Sequence, residues 1–125
     1  MRLSNDFFFS TGHNEHREDS VVACVILNPS HIIYQVHFPG NPITPGVCII
    51  QMATEILEQD LGKKLEIDVI HNVKFLSILV PKKEEVVEFS FQMGKVQDGH
   101  IKIKCNVTCS NIQISSLSIT YSIHD

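Results

Sequence analysis

The sequence predicts an α+β domain in which an antiparallel sheet curls around one long buried helix. One stretch, residues 45–61, has helical character, and its first half is apolar on nearly all sides, which is typical of an enclosed helix. Strand-like stretches rich in β-branched residues come before it. After it, alternating apolar and polar residues with hairpin turns indicate a meander. A sheet wrapped around the helix buries the apolar faces of both.

The region before the helix is predicted to hold strands and a loop. Residues 7–9 are three phenylalanines and favour a short edge strand, whereas residues 14–19 are polar and favour a loop. Residues 20–27 (SVVACVIL) predict a strand that ends at the turn sequence 28–30 (NPS). Residues 31–37 (HIIYQVH) predict a second strand, which the following prolines end.

The helix has recognisable start and stop signals. Thr44 is the expected cap, Pro45 suits the first helical position because its missing N–H is not needed there, and Gly62 is the expected stop. The second half gains polar residues and is expected to emerge into water; these are Glu55, Glu58, Gln59 and Asp60.

The region after the helix is predicted to form an antiparallel meander. The expected elements are a kinked strand at 65–75, a turn at 81–83, strands at 86–96 and 100–109 joined by the hairpin sequence 97–99 (QDG), and a last strand at 112–123.

Composition bounds the class of protein. The chain has 125 residues and 43% hydrophobic content, which suits one domain spanning residues 1–125. Its net charge of −4, without a Lys/Arg block, disfavours nucleic acid as a partner. The longest apolar run, residues 21–27, is too short to cross a bilayer. Without a recognisable signal peptide, the four cysteines are expected to be reduced thiols in a cytoplasmic protein. The histidine spacing at His13 and His16 favours a polar loop over a metal site.

Two motifs resemble a known family. Residues 37–47 (HFPGNPITPGV) resemble the active-site signature of the β-hydroxyacyl-(acyl-carrier-protein) dehydratases, and residues 72–75 (NVKF) with Val80 and Pro81 resemble a second, weaker family motif. The resemblance covers roughly residues 32–90. It implies the hotdog fold, an antiparallel sheet around a central helix, and dimers whose two sites lie between subunits. The implied substrate is an acyl chain on phosphopantetheine, held by an acyl carrier protein or coenzyme A, with no other cofactor.

The resemblance assigns roles to individual residues. His37 matches the catalytic histidine, Gly46 and Val47 open the helix whose N–H groups polarise the thioester carbonyl, and Gln51 stands where the family has its catalytic Glu. The expected substrate-binding residues are Phe38, Pro39, Gly40, Pro45, Ile50 and Phe75. These assignments suit β-elimination, which needs a base, donors to an enolate-like oxygen and an acid.

The chain differs from the family at the position of the catalytic acid. The family has Glu and then Gln one helical turn later, whereas this chain has Gln51 and then Glu55. Glu55 either takes over the acid role from the next turn of the same helix face or faces solvent. The sequence therefore leaves three functions open. They are dehydration of β-hydroxyacyl thioesters to trans-enoyl thioesters, hydrolysis by a hotdog thioesterase, and an incomplete subunit that pairs with a paralogous hotdog chain or binds acyl carriers.

Overall fold

The computed structural model describes residues 2–125. Within this range, two helices and seven strands follow one another. They are β1 (Phe8–Ser10), β2 (Glu15–Arg17), β3 (Ser20–Leu27), α1 (Ile32–Val36), α2 (Gly46–Leu61), β4 (Lys64–Phe75), β5 (Val86–Met93), β6 (His100–Cys109) and β7 (Ile112–His124).

The strands form one seven-stranded sheet in the order β1-β3-β5-β6-β7-β4, and β2 also pairs with β3. Every pairing between these strands is antiparallel. The predicted hairpin between β5 and β6 is confirmed, and Gly99 adopts the positive φ of +72° that favours glycine in such a turn. The kink predicted in β4 is also confirmed, as two register shifts against β7. The sheet thus ends at β4, the strand that directly follows the long helix.

Helix α2 lies at the centre of the fold, as predicted. It buries eight side chains, namely Cys48, Ile49, Met52, Ala53, Thr54, Glu55, Ile56 and Leu57. The Thr54 hydroxyl lies 3.0 Å from that of Tyr121 and ties the helix to β7. The helix ends at Gly62, which has a φ of +66° and donates its N–H to Glu58 O. No helix among residues 2–125 is both long and apolar enough to cross a membrane.

The predicted strand at residues 31–37 is wrong: the chain forms the short helix α1 there. The His31 side chain caps it by accepting the Ile33 N–H through Nδ1, at 3.1 Å. Tyr34 is buried, whereas Ile32 and Val36 face outward. The β-branched residues favour a strand only where a sheet can pair with them. Here the local cap and the burial of Tyr34 decide against that preference.

Four smaller predictions need correction. Residues 14–19 are not a loop throughout, because β2 pairs with β3 there. The turn predicted at 81–83 lies at residues 83–84. Strand β5 ends at Met93 and not at Val96, although Gly94 still donates its N–H to Lys102 O of β6 at 2.9 Å. Thr44 does not cap α2; Pro45 occupies the cap position, and the Thr44 hydroxyl bonds to Tyr34 instead.

Candidate active site

His37 lies directly after α1 and is held by its backbone. Its N–H donates to Ile33 O at 2.9 Å, which closes the helix, and its peptide bond to Phe38 is cis. The imidazole stacks on the Phe38 ring at a centroid distance of 4.1 Å, and Nδ1 lies 3.5 Å from Ile43 O. A carbonyl oxygen can only accept, so this long contact favours the proton on Nδ1. The lone pair of a base would then be on Nε2.

The loop after His37 is fixed by backbone hydrogen bonds. Asn41 N–H donates to Phe38 O, and Ile43 N–H donates to His37 O at 3.1 Å. Thr44 N–H donates to Leu79 O at 2.8 Å, which ties the end of the loop to the segment after β4. Within this loop Pro39 and Gly40 are exposed, and Gly40 has a φ of +73°. The loop thus sets the separation between His37 and the start of α2.

The start of α2 presents N–H groups that the helix itself does not use. Pro45 makes no side-chain cap hydrogen bond, and the first N–H groups to bond back to its carbonyl belong to Cys48 and Ile49. The N–H groups of Gly46 and Val47 therefore lie at the positive end of the helix dipole. Such groups can stabilise an oxygen that gains negative charge in a transition state.

Phe75 lies over this helix start. A Cβ on Gly46 would be 2.5 Å from Phe75 Cζ, so the ring occupies the place where a side chain would project. Phe75 is the last residue of β4 and is about half exposed, at 52%. Ile50, one turn further along α2, is partly buried against the core. The structure thus brings together Gly46 and Phe75, which the sequence analysis had placed in the same site for different reasons.

Replacing Gly46 by alanine tests this contact. The colliding atoms belong to a half-exposed ring that can turn away, so we expect the melting temperature of Gly46→Ala to fall by only a few degrees. The added methyl group would nevertheless lie over the helix N–H groups, and we expect the rate of any reaction that these groups assist to fall about 10-fold or more. Thermal unfolding and steady-state kinetics measure the two effects. Equal turnover in the two proteins, measured in an assembly in which the wild type is active, would contradict the role of the helix start.

Gln51 and Glu55 form a hydrogen-bonded pair on α2. Gln51 Nε2 donates to Glu55 Oε2 at 2.8 Å. Glu55 is buried, with 2% of the residue exposed, so the expectation that it faces solvent is wrong. Its carboxylate also accepts the backbone N–H groups of Leu3 and Ser4 at 2.8–3.0 Å. These donors make the burial of the Glu55 carboxylate possible, because a buried carboxylate is tolerated when its oxygens are hydrogen-bonded.

The same contacts set the protonation of Glu55. Burial raises the pKa of this carboxyl, but hydrogen bonds from Gln51, Leu3 and Ser4 act in the opposite direction and hold the pKa below its usual range. Glu55 is therefore ionised at neutral pH and is poorly suited to release a proton as a general acid.

This lowered pKa predicts a pH dependence of stability. A carboxyl whose pKa is lower in the folded state stabilises the fold above its unfolded pKa and loses that contribution as pH falls through its folded pKa. We therefore expect the melting temperature of the protein to fall on acidification through and below the usual Glu range. The Glu55→Gln variant, which is less stable at neutral pH, should show a flatter acid limb. Parallel curves for the two proteins would contradict the assigned contacts.

Within residues 2–125, no hydrogen bond, ion pair or ring contact joins His37 to Glu55. This agrees with the expectation that each site of the family lies between two subunits. The sequence-based expectations were incomplete at the N-terminal end. The involvement of Leu3 and Ser4 was missed. The only signal for it in the sequence is an apolar N-terminal stretch, LSNDFFF, which includes more apolar residues than a solvated terminus needs.

Other polar clusters lie away from this site. His16 Nε2 and Asn14 Nδ2 both lie 2.8 Å from Asp60 Oδ1, which fastens β2 to the end of α2. Within residues 2–125, no group of three or more His, Cys, Asp or Glu side chains is arranged to hold a metal ion. All four cysteines are free thiols in the structure.

Comparison with known proteins identifies the family. The family model for ApeI-like proteins, described as ApeI dehydratase, matches residues 13–114. The chain belongs to the ApeI-like dehydratase family. This ApeI-like chain is also 30% identical over 114 residues to the 3-hydroxyacyl-[acyl-carrier-protein] dehydratase FabZ of Lactobacillus helveticus, covering 86% of this chain and 76% of the relative. With FabZ of Caulobacter vibrioides, it shares 38% identity over 56 residues, which are 45% of this chain and 34% of the relative.

Solved structures confirm the hotdog fold of the ApeI-like chain. The dehydratase heterocomplex ApeI:P from Xenorhabdus doucetiae contains a chain that superposes with a TM-score of 0.74 at 18% identity, covering 90% of this chain and 96% of that one. A hypothetical thioesterase with coenzyme A from Streptococcus pneumoniae gives a TM-score of 0.67 at 12% identity and covers 98% and 92% of the two chains. At these identities the likeness concerns the fold alone.

Proposed function

We propose that this chain contributes one half of a composite dehydratase site, which acts on β-hydroxyacyl thioesters carried by phosphopantetheine and forms trans-enoyl thioesters. His37 is the base, and the N–H groups of Gly46 and Val47 bind the thioester carbonyl. A second hotdog chain contributes the acid. The carrier is an acyl carrier protein, or coenzyme A in its place. Membership of the ApeI-like dehydratase family supports the reaction class.

The burial and hydrogen bonding of Glu55 are the main support for a second chain that provides the acid. At the position expected to hold the family's acid, this chain has the amide of Gln51, which cannot release a proton as a carboxylic acid does. One turn later, the Glu55 carboxylate is buried and hydrogen-bonded to three donor groups. A base and carbonyl donors are thus provided, while neither helix residue provides a usable acid. β-Elimination without an acid is slower by about 10²–10⁴-fold.

The proposed reaction is a β-elimination of water. His37 Nε2 removes the α-proton, and the electron pair moves toward the thioester oxygen, where the helix N–H groups stabilise the negative charge. The carboxylic acid of the partner protonates the β-hydroxyl group, and the C–O bond breaks to release water. The α,β double bond forms at the same time. The proton on His37 then returns to the partner's carboxylate through solvent, which restores both groups.

The surface around the site suits a partner chain. Strand β4 ends the sheet and exposes apolar side chains, and further exposed apolar side chains surround the start of α2. These are Ile67, Val69, Ile70 and Phe75 on β4, with Phe38 and Val47 beside the helix start. Exposed apolar groups along an unpaired sheet edge mark interaction surfaces. The structural neighbour described as a dehydratase heterocomplex supports a partner of a different sequence.

Intact-carrier mass spectrometry tests the proposal. A β-hydroxyacyl carrier protein would be mixed either with the purified chain alone or with a co-purified complex. Each complex would pair this chain with one hotdog protein from the same organism that has a glutamate at the position of Gln51. We expect loss of one water from the carrier-bound chain only in a co-purified complex. Loss of water with the chain alone would show that a homodimer suffices, and loss of the whole acyl group would show a thioesterase. No reaction in any complex would contradict the proposed activity.

A further inference from the structure

The N-terminal segment, defined here as residues 2–8, is built into the fold. Leu3, Phe7 and Phe8 are all buried, and Phe7 is completely inaccessible to solvent. The segment lies before residues 13–114, the part of the chain that matches the family. Its contacts are therefore a feature of this chain that the family match does not include, and they join two elements that carry the candidate site.

One end of the segment is fastened to α2 through Glu55. Leu3 N–H lies 3.0 Å from Glu55 Oε1 and 2.8 Å from Oε2, and Ser4 N–H donates to Oε1 at 2.8 Å. Arg2 Nη1 lies 3.8 Å from Oε1, although its side chain is mostly exposed. Hydrogen bonds from N–H groups to an ionised carboxylate are about twice as strong as those to a neutral acceptor. Glu55 therefore provides a strong, localised anchor.

The other end of the segment supports α1. The Phe7 ring stacks on Tyr34 at a centroid distance of 5.0 Å and meets His31 edge-on at 5.1 Å. Asp6 Oδ2 lies 3.2 Å from His31 Nε2, at the residue that caps α1. Because α1 has only five residues, its own hydrogen bonds cannot maintain it, and packing against Phe7 must supply the stability.

Helix α1 connects this support to the site. His37 follows the last residue of α1, and its N–H bonds to Ile33 O. The Tyr34 hydroxyl lies 2.8 Å from that of Thr44, which directly precedes the cap of α2. Both ends of the loop from His37 to the start of α2 are thus attached to α1. A shift of α1 would move His37 relative to the helix N–H groups.

We propose that Glu55 is a positioning residue: it anchors the N-terminal segment, which braces α1 and thereby fixes His37 relative to the start of α2. The catalytic consequence rests on the proposed function, whereas the mechanical coupling does not. The proposal gives Glu55 a role that differs from a relocated general acid. It also explains why the carboxylate stands on this turn of the helix, where it can reach the N-terminal backbone.

Hydrogen exchange tests the coupling without any substrate. In Glu55→Gln, which loses the charge but keeps one acceptor, we expect exchange to speed up about 10-fold at Leu3 and Ser4 and also in residues 32–38. Glu85→Gln is the matched control, since Glu85 accepts hydrogen bonds from Cys109 Sγ and Ser110 Oγ at the turn between β6 and β7. Its effect should be confined to that turn. Unchanged exchange in residues 32–38 of Glu55→Gln would overturn the proposal.

A second variant covers the case in which Glu55→Gln unfolds. Phe7→Leu removes the ring stacked on Tyr34 and leaves the anchor at Glu55 in place. We expect faster exchange in residues 32–38 with Leu3 and Ser4 still protected. If residues 32–38 keep their protection, the segment does not brace α1 and the proposal fails.

Kinetics of the composite enzyme give the catalytic readout. Displacement of His37 should lower kcat by about 10-fold or more while KM changes little, because misplacement of a catalytic group acts on the chemical step. Unchanged kcat together with accelerated exchange in residues 32–38 would overturn the positioning role. If the wild-type chain has no dehydratase activity in any complex, the proposed function fails, and the exchange experiment alone still decides the mechanical coupling.

Discussion

Replacing Gln51 by glutamate should give this chain dehydratase activity without a second type of subunit. The introduced carboxyl would occupy the place of an amide whose Nε2 donates to Glu55 Oε2 at 2.8 Å. Glu55 keeps its hydrogen bonds from Leu3 and Ser4 and stays ionised, so the adjacent introduced carboxyl holds its proton. A protonated carboxyl is close in shape to the amide and fits in its place, and its single proton is then available to the hydroxyl group of a substrate.

The expected gain is large. A positioned acid contributes about 10²–10⁴-fold to proton transfer, so Gln51→Glu should dehydrate a β-hydroxyacyl carrier protein at a rate well above that of the unmodified chain. Because the introduced carboxyl acts as an acid only while it holds its proton, the activity should decline as the pH is raised. Steady-state rates across pH, followed by mass spectrometry of the carrier, measure both effects.

Gln59→Glu provides the matched control for this variant. It introduces the same side chain into the same helix at an exposed position away from the pair. We expect it to remain as inactive as the unmodified chain. A gain of equal size in both variants, or in neither, would contradict the proposal that the missing acid at residue 51 limits this chain.

Replacing His37 by alanine should remove the activity of the composite enzyme. The imidazole is the proposed base, and loss of general base catalysis lowers kcat/KM by about 10²–10⁴-fold. The fold should persist, because the contact that closes α1 uses the His37 backbone N–H and not its side chain. The substitution also removes the ring stacked on Phe38, so a modest fall in melting temperature is expected.

His100→Ala serves as the control for the loss of a half-exposed imidazole. His100 begins β6, where Nδ1 contacts Asp98 O and Nε2 lies 3.5 Å from Asp68. Its removal should leave kcat/KM within about twofold of the wild type, since surface changes away from a site have small effects. If His37→Ala retains wild-type kcat/KM in the complex, another group is the base and the proposed mechanism is wrong.

Local signals in the sequence predicted the parts of the fold that local chemistry controls. Gly62 ends α2 because a left-handed backbone conformation is needed there, and glycine adopts it without steric cost. The sequence 97–99 predicted the β5–β6 hairpin because Gly99 likewise adopts a positive φ without steric cost. The apolar first half of α2 predicted an enclosed helix. Its exception is Val47, which is 66% exposed at the helix start where the proposed partner would lie.

The candidate site was predictable only in its outline. The motif from His37 to Gly46 indicated the candidate residues, but the ring of Phe75 over Gly46 required β4 to end beside the helix start. Strand-like residues 31–37 formed a helix because His31 caps it locally and because Phe7, distant along the chain, buries Tyr34. No local pattern contains the contact with Phe7.

The sequence by itself determined an antiparallel sheet around one enclosed helix, because turn glycines and apolar periodicity act over a few neighbouring residues. The hotdog fold and His37 as the candidate base followed from the resemblance of residues 37–47 to the β-hydroxyacyl-(acyl-carrier-protein) dehydratases. Only the tertiary structure decided the role of Glu55. A glutamate on the polar half of a helix normally faces water. Here the Glu55 carboxylate accepts hydrogen bonds from the amide of Gln51 and from two backbone N–H groups that lie about fifty residues earlier in the chain. These donors replace the water that the carboxylate loses on burial, so the charged group can be buried and can hold the N-terminal segment.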